Sequence, residues 1–231
     1  VIDDLVNRRH CSDYLIDQTL SRKPEEYASL VPNNTKLFCG ITFALVREEF
    51  AIYRERSLVR RKNVQLERIL LSLGGTDPAN VSKAIMDEIL SVCRRLEIQI
   101  DLVLGHNNPW VSSFLSFQRE NTDLLRIIQG TNNMAEVMTA ADIAIGASGT
   151  SSWERCVLGL PTIQIIQVEN QQDIAFALAR VGAIKLVHEI DQITPLIEGA
   201  GTWMHDVSVK AKNVCDGMGL QRVMQQMRFV S

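Results

Sequence analysis

The chain has 231 residues, 46% of them hydrophobic and 22% charged, with a formal net charge of −3. That length allows one large or two small domains, and that balance suits a globular protein with a real core. The small net charge gives no footing for nucleic acid or an anionic membrane, and the apolar runs are too short to span a bilayer.

The opening Val1-Ile2-Asp3-Asp4 is neither basic nor followed by an apolar core, so it is not a signal peptide. It reads as the end of a buried strand with two acids at its carboxyl edge. A chain seldom starts mid-strand, so a preceding segment is expected. Cys11, Cys39, Cys93, Cys156 and Cys215 are odd in number, widely spaced and free of any CxxC, which points to reduced thiols in a cytoplasmic protein. His10, His106, His188 and His205 are equally scattered, so no metal site is expected.

Short strands are expected at residues 13–17 and 36–39, with a loop or brief helix at 24–27. These pieces bury too little surface to form a domain. From Thr42 the character changes. Residues 46–58 read as a helix, followed by a basic patch of Arg54, Arg56, Arg60, Arg61 and Lys62. The patch reads as a solvated inter-domain connection, with a phosphate or partner surface as the alternative.

The rhythm is then regular. Strands are expected at 68–73, 98–104, 124–128, 143–145, 162–166 and 183–187. Helices are expected at 78–93, 110–119, 134–140, 153–158 and 171–181, then 195–205 and 207–229. Alternating strands and helices imply parallel βαβ units. The expected fold is α/β: a Rossmann-like, doubly wound parallel sheet over residues 43–231, preceded at 1–42 by the remainder of another unit. Ligands in such sheets bind beyond the carboxyl ends of the strands.

That rule directs attention to four loops. In Gly74-Gly75-Thr76-Asp77-Pro78 the paired glycines permit a tight turn, and Asp77-Pro78 suits a helix start. Neither a Walker element nor GxGxxG is present. In Thr131-Asn132-Asn133-Met134, Asn133 is a candidate N-cap and the backbone is available to read a flat base by its edge. Ile143 to Glu154 runs from a strand through Ser148, Gly149, Thr150 and Ser151 into a helix. Its unpaired N–H groups, helix dipole and hydroxyls suit a phosphate, and Glu154, about one turn in, suits a sugar hydroxyl. Asn170 and Gln171 offer amides to a sugar. Each loop alone is equally a plain capped turn. Together, at one rim, they suit a nucleotide diphosphate sugar held without Lys or Arg in the glycine-rich loops.

The segments VIDDLVNRRHCSDYLIDQ, RILLSLGGTDP, NMAEVMTAADIAIGASGTSSWERCVLGLPT and ENQQDIA carry a resemblance over nearly the whole chain. The sequence resembles the UDP-2,4-diacetamido-2,4,6-trideoxy-β-L-altropyranose hydrolases of pseudaminic acid biosynthesis. More widely it resembles GT-B UDP-sugar glycosyltransferases and spore-coat polysaccharide proteins. The resemblance implies a GT-B-like pair of Rossmann-like domains with UDP on the carboxyl-terminal one. It implies that Asn132, Asn133 and Met134 meet uracil, and that Gly75 and Thr76 with Ser148, Gly149, Thr150 and Ser151 hold the diphosphate, with Asp77 counted among the substrate-binding residues. Glu154 is implied to meet the ribose, Asn170 and Gln171 to face the sugar, and Asp3 and Asp4 to lie at the cleft edge.

The implied reaction is metal-independent, inverting attack of water at the anomeric carbon, with UDP leaving and no cofactor, in surface or flagellar glycan biosynthesis. The family's G-x-G-H-x-x-R segment does not occur here, so the catalytic histidine is expected to lie in a missing amino-terminal domain. The expected partners are therefore a UDP-sugar, UDP and that domain, with neither nucleic acid nor membrane. A GT-B glycosyltransferase and a non-catalytic nucleotide-sugar binding module remain the alternatives.

Overall fold

Short β-branched runs alternate with amphipathic stretches along most of the chain, and each folds as its period dictates. The computed structural model describes residues 1–63 and 65–227, without the side chains of Asn63 and Asn170. The main sheet contains β3 (Arg68–Ser72), β4 (Gln99–Leu104), β5 (Leu125–Gln129), β6 (Ile143–Ala147), β7 (Thr162–Ile165) and β8 (Lys185–Val187). Its order is β5-β4-β3-β6-β7-β8, and every pairing is parallel. Counted from β3 this is the doubly wound order 3-2-1-4-5-6. The chain reverses direction across the sheet between β3 and β6, where Ser72 pairs with Gly146. A crevice therefore opens beyond these two strand ends.

Both faces of the sheet are covered. Ile69 and Leu71 of β3 and Ile143 and Ile145 of β6 face one core, with α2 (Val81–Arg95), α3 (Val111–Glu120) and α7 (Ile193–Glu198) packed on it. Leu70 and Ala144, one residue out of phase, face the other core. That side is covered by α1 (Glu48–Arg60), α4 (Met134–Ala140), α5 (Ser151–Val157) and α6 (Gln172–Arg180). Each fully buried Leu or Ile contributes about 1.5–3 kcal/mol, so alternation within a wholly apolar strand fixes both layers at once.

The first unit is smaller. β1 (Tyr14–Asp17) and β2 (Lys36–Cys39) pair in parallel, and Ile2 bridges to Ile16. The opening residues are extended as expected, but Val1 and Ile2 are exposed rather than buried. The last helix, α9 (Gly219–Met227), returns to this unit: Val223 packs on Ile16 and Phe38.

Three expectations change. α2 begins at Val81, not at residue 78, because Asp77 and Asn80 both have positive φ and the chain turns twice before the helix starts. The two long terminal helices are three: α7, α8 (Met204–Lys212) and α9, separated at Gly199-Ala200-Gly201 and at Gly217. The expected end at Phe229 lies outside the described residues. Finally, the basic patch is largely structural. Arg54 donates to the carbonyls of Val157, Lys212 and Cys215, Arg60 to Ala140 and Asp142, and the buried Arg61 to Met138 and Ala141. These guanidinium groups cap helix ends that would otherwise leave carbonyls unpaired.

Candidate functional site

The loop after β3 turns sharply because Gly74 has φ +97°, a conformation that side chains other than glycine adopt at a cost. Gly75 then passes against Gly105 after β4, so closely that a Cβ on Gly105 would lie 2.3 Å from the Gly75 carbonyl oxygen. The packing thus requires glycine at 105, whereas a Cβ on Gly74 or Gly75 would meet nothing within 4 Å and Gly74 is called for by its positive φ. Asp77 closes the loop. It is 4% exposed, its Oδ1 accepts from the N–H of Val81 at 2.9 Å, and its Oδ2 from that of Ser82 at 2.8 Å. Gln167, from the loop after β7, also reaches Oδ1 at 3.5 Å.

The loop after β6 forms a tight turn. The N–H groups of Ser152 and Trp153 fold back onto the carbonyls of Gly149 and Thr150, whereas those of Thr150 and Ser151 have no acceptor among the described residues. Ser148 is buried and its Oγ accepts from the Gln164 amide, which leaves its proton free to donate. The neighbouring Arg155 is also buried. It donates to Ser151 Oγ at 3.2 Å, Ser152 Oγ at 3.1 Å and the Ala147 carbonyl at 2.8 Å.

Two cavities flank this turn. The first, of about 310 Å³, lies over the crevice between β3 and β6. It gathers Gly75, Asn132, Met134, Ser151 and Glu154 of the predicted residues, and adds Arg47 and His106, which the sequence did not single out. Glu154 is largely buried there. Burial raises its carboxyl above the ordinary value, and Arg47, whose Nε donates to Oε1 at 3.1 Å, opposes that rise. The second cavity, of about 270 Å³, lies between the two units. It gathers Asp4, Ser148, Gly149, Thr150 and Gln171, with Gln18 and Thr19 facing them from the first unit.

Other predicted residues stand apart. Asp3 is buried and bonded to the Tyr27 hydroxyl and the Val6 N–H, so only Asp4 of the pair reaches the cleft. Burial raises the Asp3 carboxyl, but the Tyr27 bond, the Val6 bond and His10 outweigh it and hold it below its usual range. Thr76 is exposed and lines neither cavity; its carbonyl accepts from Asn108. Asn133 occupies the N-cap position of α4 without a side-chain cap bond, while its N–H donates to Thr131 Oγ1 at 3.0 Å. The Asn170 side chain lies outside the described residues, and Gln171 Oε1 accepts from the Gln167 N–H. No group of three or more His, Cys, Asp and Glu residues among the described residues is arranged to hold a metal. No described helix is long and apolar enough to cross a membrane.

Residues 69–212, more than half the chain, match the glycosyltransferase family 28 C-terminal domain. The chain belongs to this family. The family 28 domain runs from β3 to the end of α8, so it contains the whole doubly wound sheet and all four rim loops. The chain is 28% identical to the UDP-2,4-diacetamido-2,4,6-trideoxy-β-L-altropyranose hydrolase of Campylobacter jejuni over 180 residues, 78% of this chain and 61% of that protein. It is 28% identical to the spore coat polysaccharide biosynthesis protein SpsG of Bacillus subtilis over 153 residues, 66% of this chain and 44% of that one. The chain thus spans less than two thirds of either relative. The crystal structure of Acinetobacter baumannii MurG superimposes with a TM-score of 0.64 at 15% identity, covering 93% of this chain and 66% of that one. That likeness shows the shared GT-B fold. The two named relatives are thus a UDP-sugar hydrolase and a spore coat polysaccharide biosynthesis protein.

Proposed function

We propose that the crevice over β3 and β6 binds UDP and that the chain is the UDP-binding part of a UDP-sugar hydrolase. The observation that carries this reading is the meeting of Glu154, Ser151 and the Asn132–Met134 loop in one cavity. A buried carboxylate suits ribose hydroxyls, which donate, and would repel phosphate. A serine with an unpaired N–H suits the diphosphate. Backbone at 132–134 suits the edge of uracil. Thr76 and Asn133 belong to this reading through their backbone, and Asp77 through the loop it closes.

In the same reading the second cavity takes the sugar, between Asp4 on one side and Gly149, Thr150 and Gln171 on the other, with Asn170 at the same rim. Residues 1–42 are then the tail of a preceding Rossmann-like domain, which would supply the group that activates water. Attack at the anomeric carbon expels UDP with inversion. The developing charge is met by the Thr150 and Ser151 N–H groups and by hydroxyls, a form of electrostatic stabilisation that supplies about 3–4 kcal/mol per well-placed donor. The reaction belongs to surface or flagellar glycan biosynthesis, pseudaminic acid being the sugar acid implied by the Campylobacter relative, and it takes place in the cytoplasm.

Titration with UDP tests the site: binding and a raised melting temperature are expected, since a ligand taken only by the native state stabilises it. Absence of both overturns the reading. Product analysis tests the chemistry, with an amino-terminal domain of this family supplied upstream of Val1. Free sugar and UDP formed without an acceptor support hydrolysis. Strict dependence on an acceptor would favour a glycosyltransferase, the second reading, which the family 28 match supports.

A further inference from the structure

Arg155 is 3% exposed, yet every oxygen it touches is neutral. Its Nη2 donates to the Ala147 carbonyl at 2.8 Å, to Ser152 Oγ at 3.1 Å and to Gln164 Oε1 at 3.4 Å, and its Nη1 to Ser151 Oγ at 3.2 Å. Its Nε has no hydrogen-bond partner among the described residues. The adjacent carboxylate, Glu154, is bonded to Arg47 instead. Arg68 and Arg126 meet the buried Asp101 directly, Arg22 meets Asp17 and Arg60 meets Asp142, whereas the buried Arg61, like Arg155, donates among the described residues only to neutral oxygens. Among the described residues the charge of Arg155 is met only through space by the neighbouring Glu154 and not by a bonded carboxylate, so it is placed to act on an anion bound above the turn.

The surroundings are shaped for that guanidinium. A Cβ on Gly146, in the strand that ends at the crevice, would lie 2.6 Å from Arg155 Nη1, so glycine leaves the room it occupies. The acceptor side of Ser151 Oγ faces Arg155, which leaves the serine proton free to donate elsewhere, and Ser151 lines the nucleotide cavity.

We propose that Arg155 is the fixed counter-charge for the ligand's diphosphate, acting from beneath the loop through Ser151, whose hydroxyl it orients as a donor into the cavity. This rests on the UDP-binding reading above. Arg155 is a positioning residue: it never meets solvent, and it supplies the positive charge that the glycine-rich loops lack. Burial pushes its basicity down only to about 10, so it remains charged at neutral pH.

The test is calorimetric titration of wild type, Arg155→Gln, Arg155→Lys and Ser151→Ala with UDP, pyrophosphate and uridine, with melting curves to confirm folding. Arg155→Gln is expected to weaken UDP and pyrophosphate about 10- to 100-fold while changing uridine less than about twofold, the loss of one charge-assisted contact. Arg155→Lys should recover part of the loss. Equal losses for UDP and uridine, or unchanged pyrophosphate binding, overturn the proposal and leave Arg155 as a structural brace. If Arg155→Gln does not fold, Ser151→Ala carries the test. A loss confined to UDP and pyrophosphate supports the relay, and wild-type affinity for both overturns it. A wild-type protein that binds neither UDP nor pyrophosphate refutes the UDP site itself, which is a different outcome from any of these.

Discussion

The Nε of Arg47 donates to Oε1 of Glu154 at 3.1 Å, tying the segment that enters α1 to the first turn of α5. Arg47 also pairs with Glu49 at 2.8 Å and lies over the Phe50 ring, 5.0 Å from its centre. The pair seals one wall of the nucleotide cavity. In the proposed complex the ribose hydroxyls share Glu154 with this arginine. Glu154→Ala is therefore expected to weaken UDP by about 1.5–3 kcal/mol, the value of a hydrogen bond to a charged group, and to leave pyrophosphate unchanged. Calorimetry with the two ligands checks this. Equal losses would remove Glu154 from the ribose.

The same carboxylate sets a pH dependence. Burial raises its pKa and Arg47 lowers it, with burial the larger influence. Protonation removes an acceptor from the ribose site, so affinity falls as pH drops through that raised value, earlier than for an ordinary glutamate. Uridine isolates the effect because it carries no titrating phosphate. Arg47→Ala should move the fall to higher pH, and Glu154→Gln should abolish it. A uridine affinity that is flat with pH in wild type would contradict the assignment.

Stability carries the opposite sign. Because the folded pKa of Glu154 lies above the unfolded one, the native state holds more of its proton between the two values. Stability then falls as pH rises through that window and stays lower above it. The neutral isostere Glu154→Gln should thus melt higher than wild type near neutral pH, with the difference closing in acid, even though it binds UDP less well. Such a trade of stability for binding is common where a ligand completes a site. Melting curves across pH test it, and a variant less stable at neutral pH sinks it.

Much of this was legible in the sequence, for physical reasons that differ from residue to residue. Met134–Ala140 forms the helix its spacing predicts, and every expected strand of the main sheet is present within two residues of its expected ends, because each is an apolar run closed by polar or glycine residues. The rim loops follow from strand polarity alone. Arg47 and Arg155 were not legible. Arg47 is distant in sequence from Glu154, and nothing local distinguishes it from its neighbours. Arg155 lies in a stretch whose helical period does not tell that an arginine is buried. The nearest signal was Gly146, whose missing side chain is the space the guanidinium fills. The basic patch in and just after α1 misled in the same way, since carbonyls at distant helix ends cannot be read from adjacent residues.

Asp77 separates a structural role from a binding one. Both its oxygens accept from backbone N–H groups at the start of α2, a capping arrangement whose removal costs about 1–2 kcal/mol. Asp77→Ala should lower stability in denaturant titrations by that amount, with UDP affinity falling only as far as the Gly75 loop loosens. Unchanged stability together with a large loss of UDP would make Asp77 a direct ligand.

Gly105 and Gly75 make the closest backbone approach at the rim. A Cβ on Gly105 would lie 2.3 Å from the Gly75 carbonyl oxygen and 2.8 Å from its Cα. Backbone atoms cannot swing aside as a flexible side chain does, so Gly105→Ala must push the Gly74-Gly75 turn outward. Overpacking of this kind costs about 1–3 kcal/mol. The displaced turn also forms part of the nucleotide cavity, so UDP affinity should fall together with stability. Gly201→Ala is the control, since nothing lies within 4 Å of the Cβ it would add. Melting and UDP titration of the two variants side by side test the point. A Gly105→Ala protein that melts and binds like the Gly201→Ala control would show that the loop after β3 is free to move, and would remove it from the rigid rim on which the diphosphate is proposed to rest.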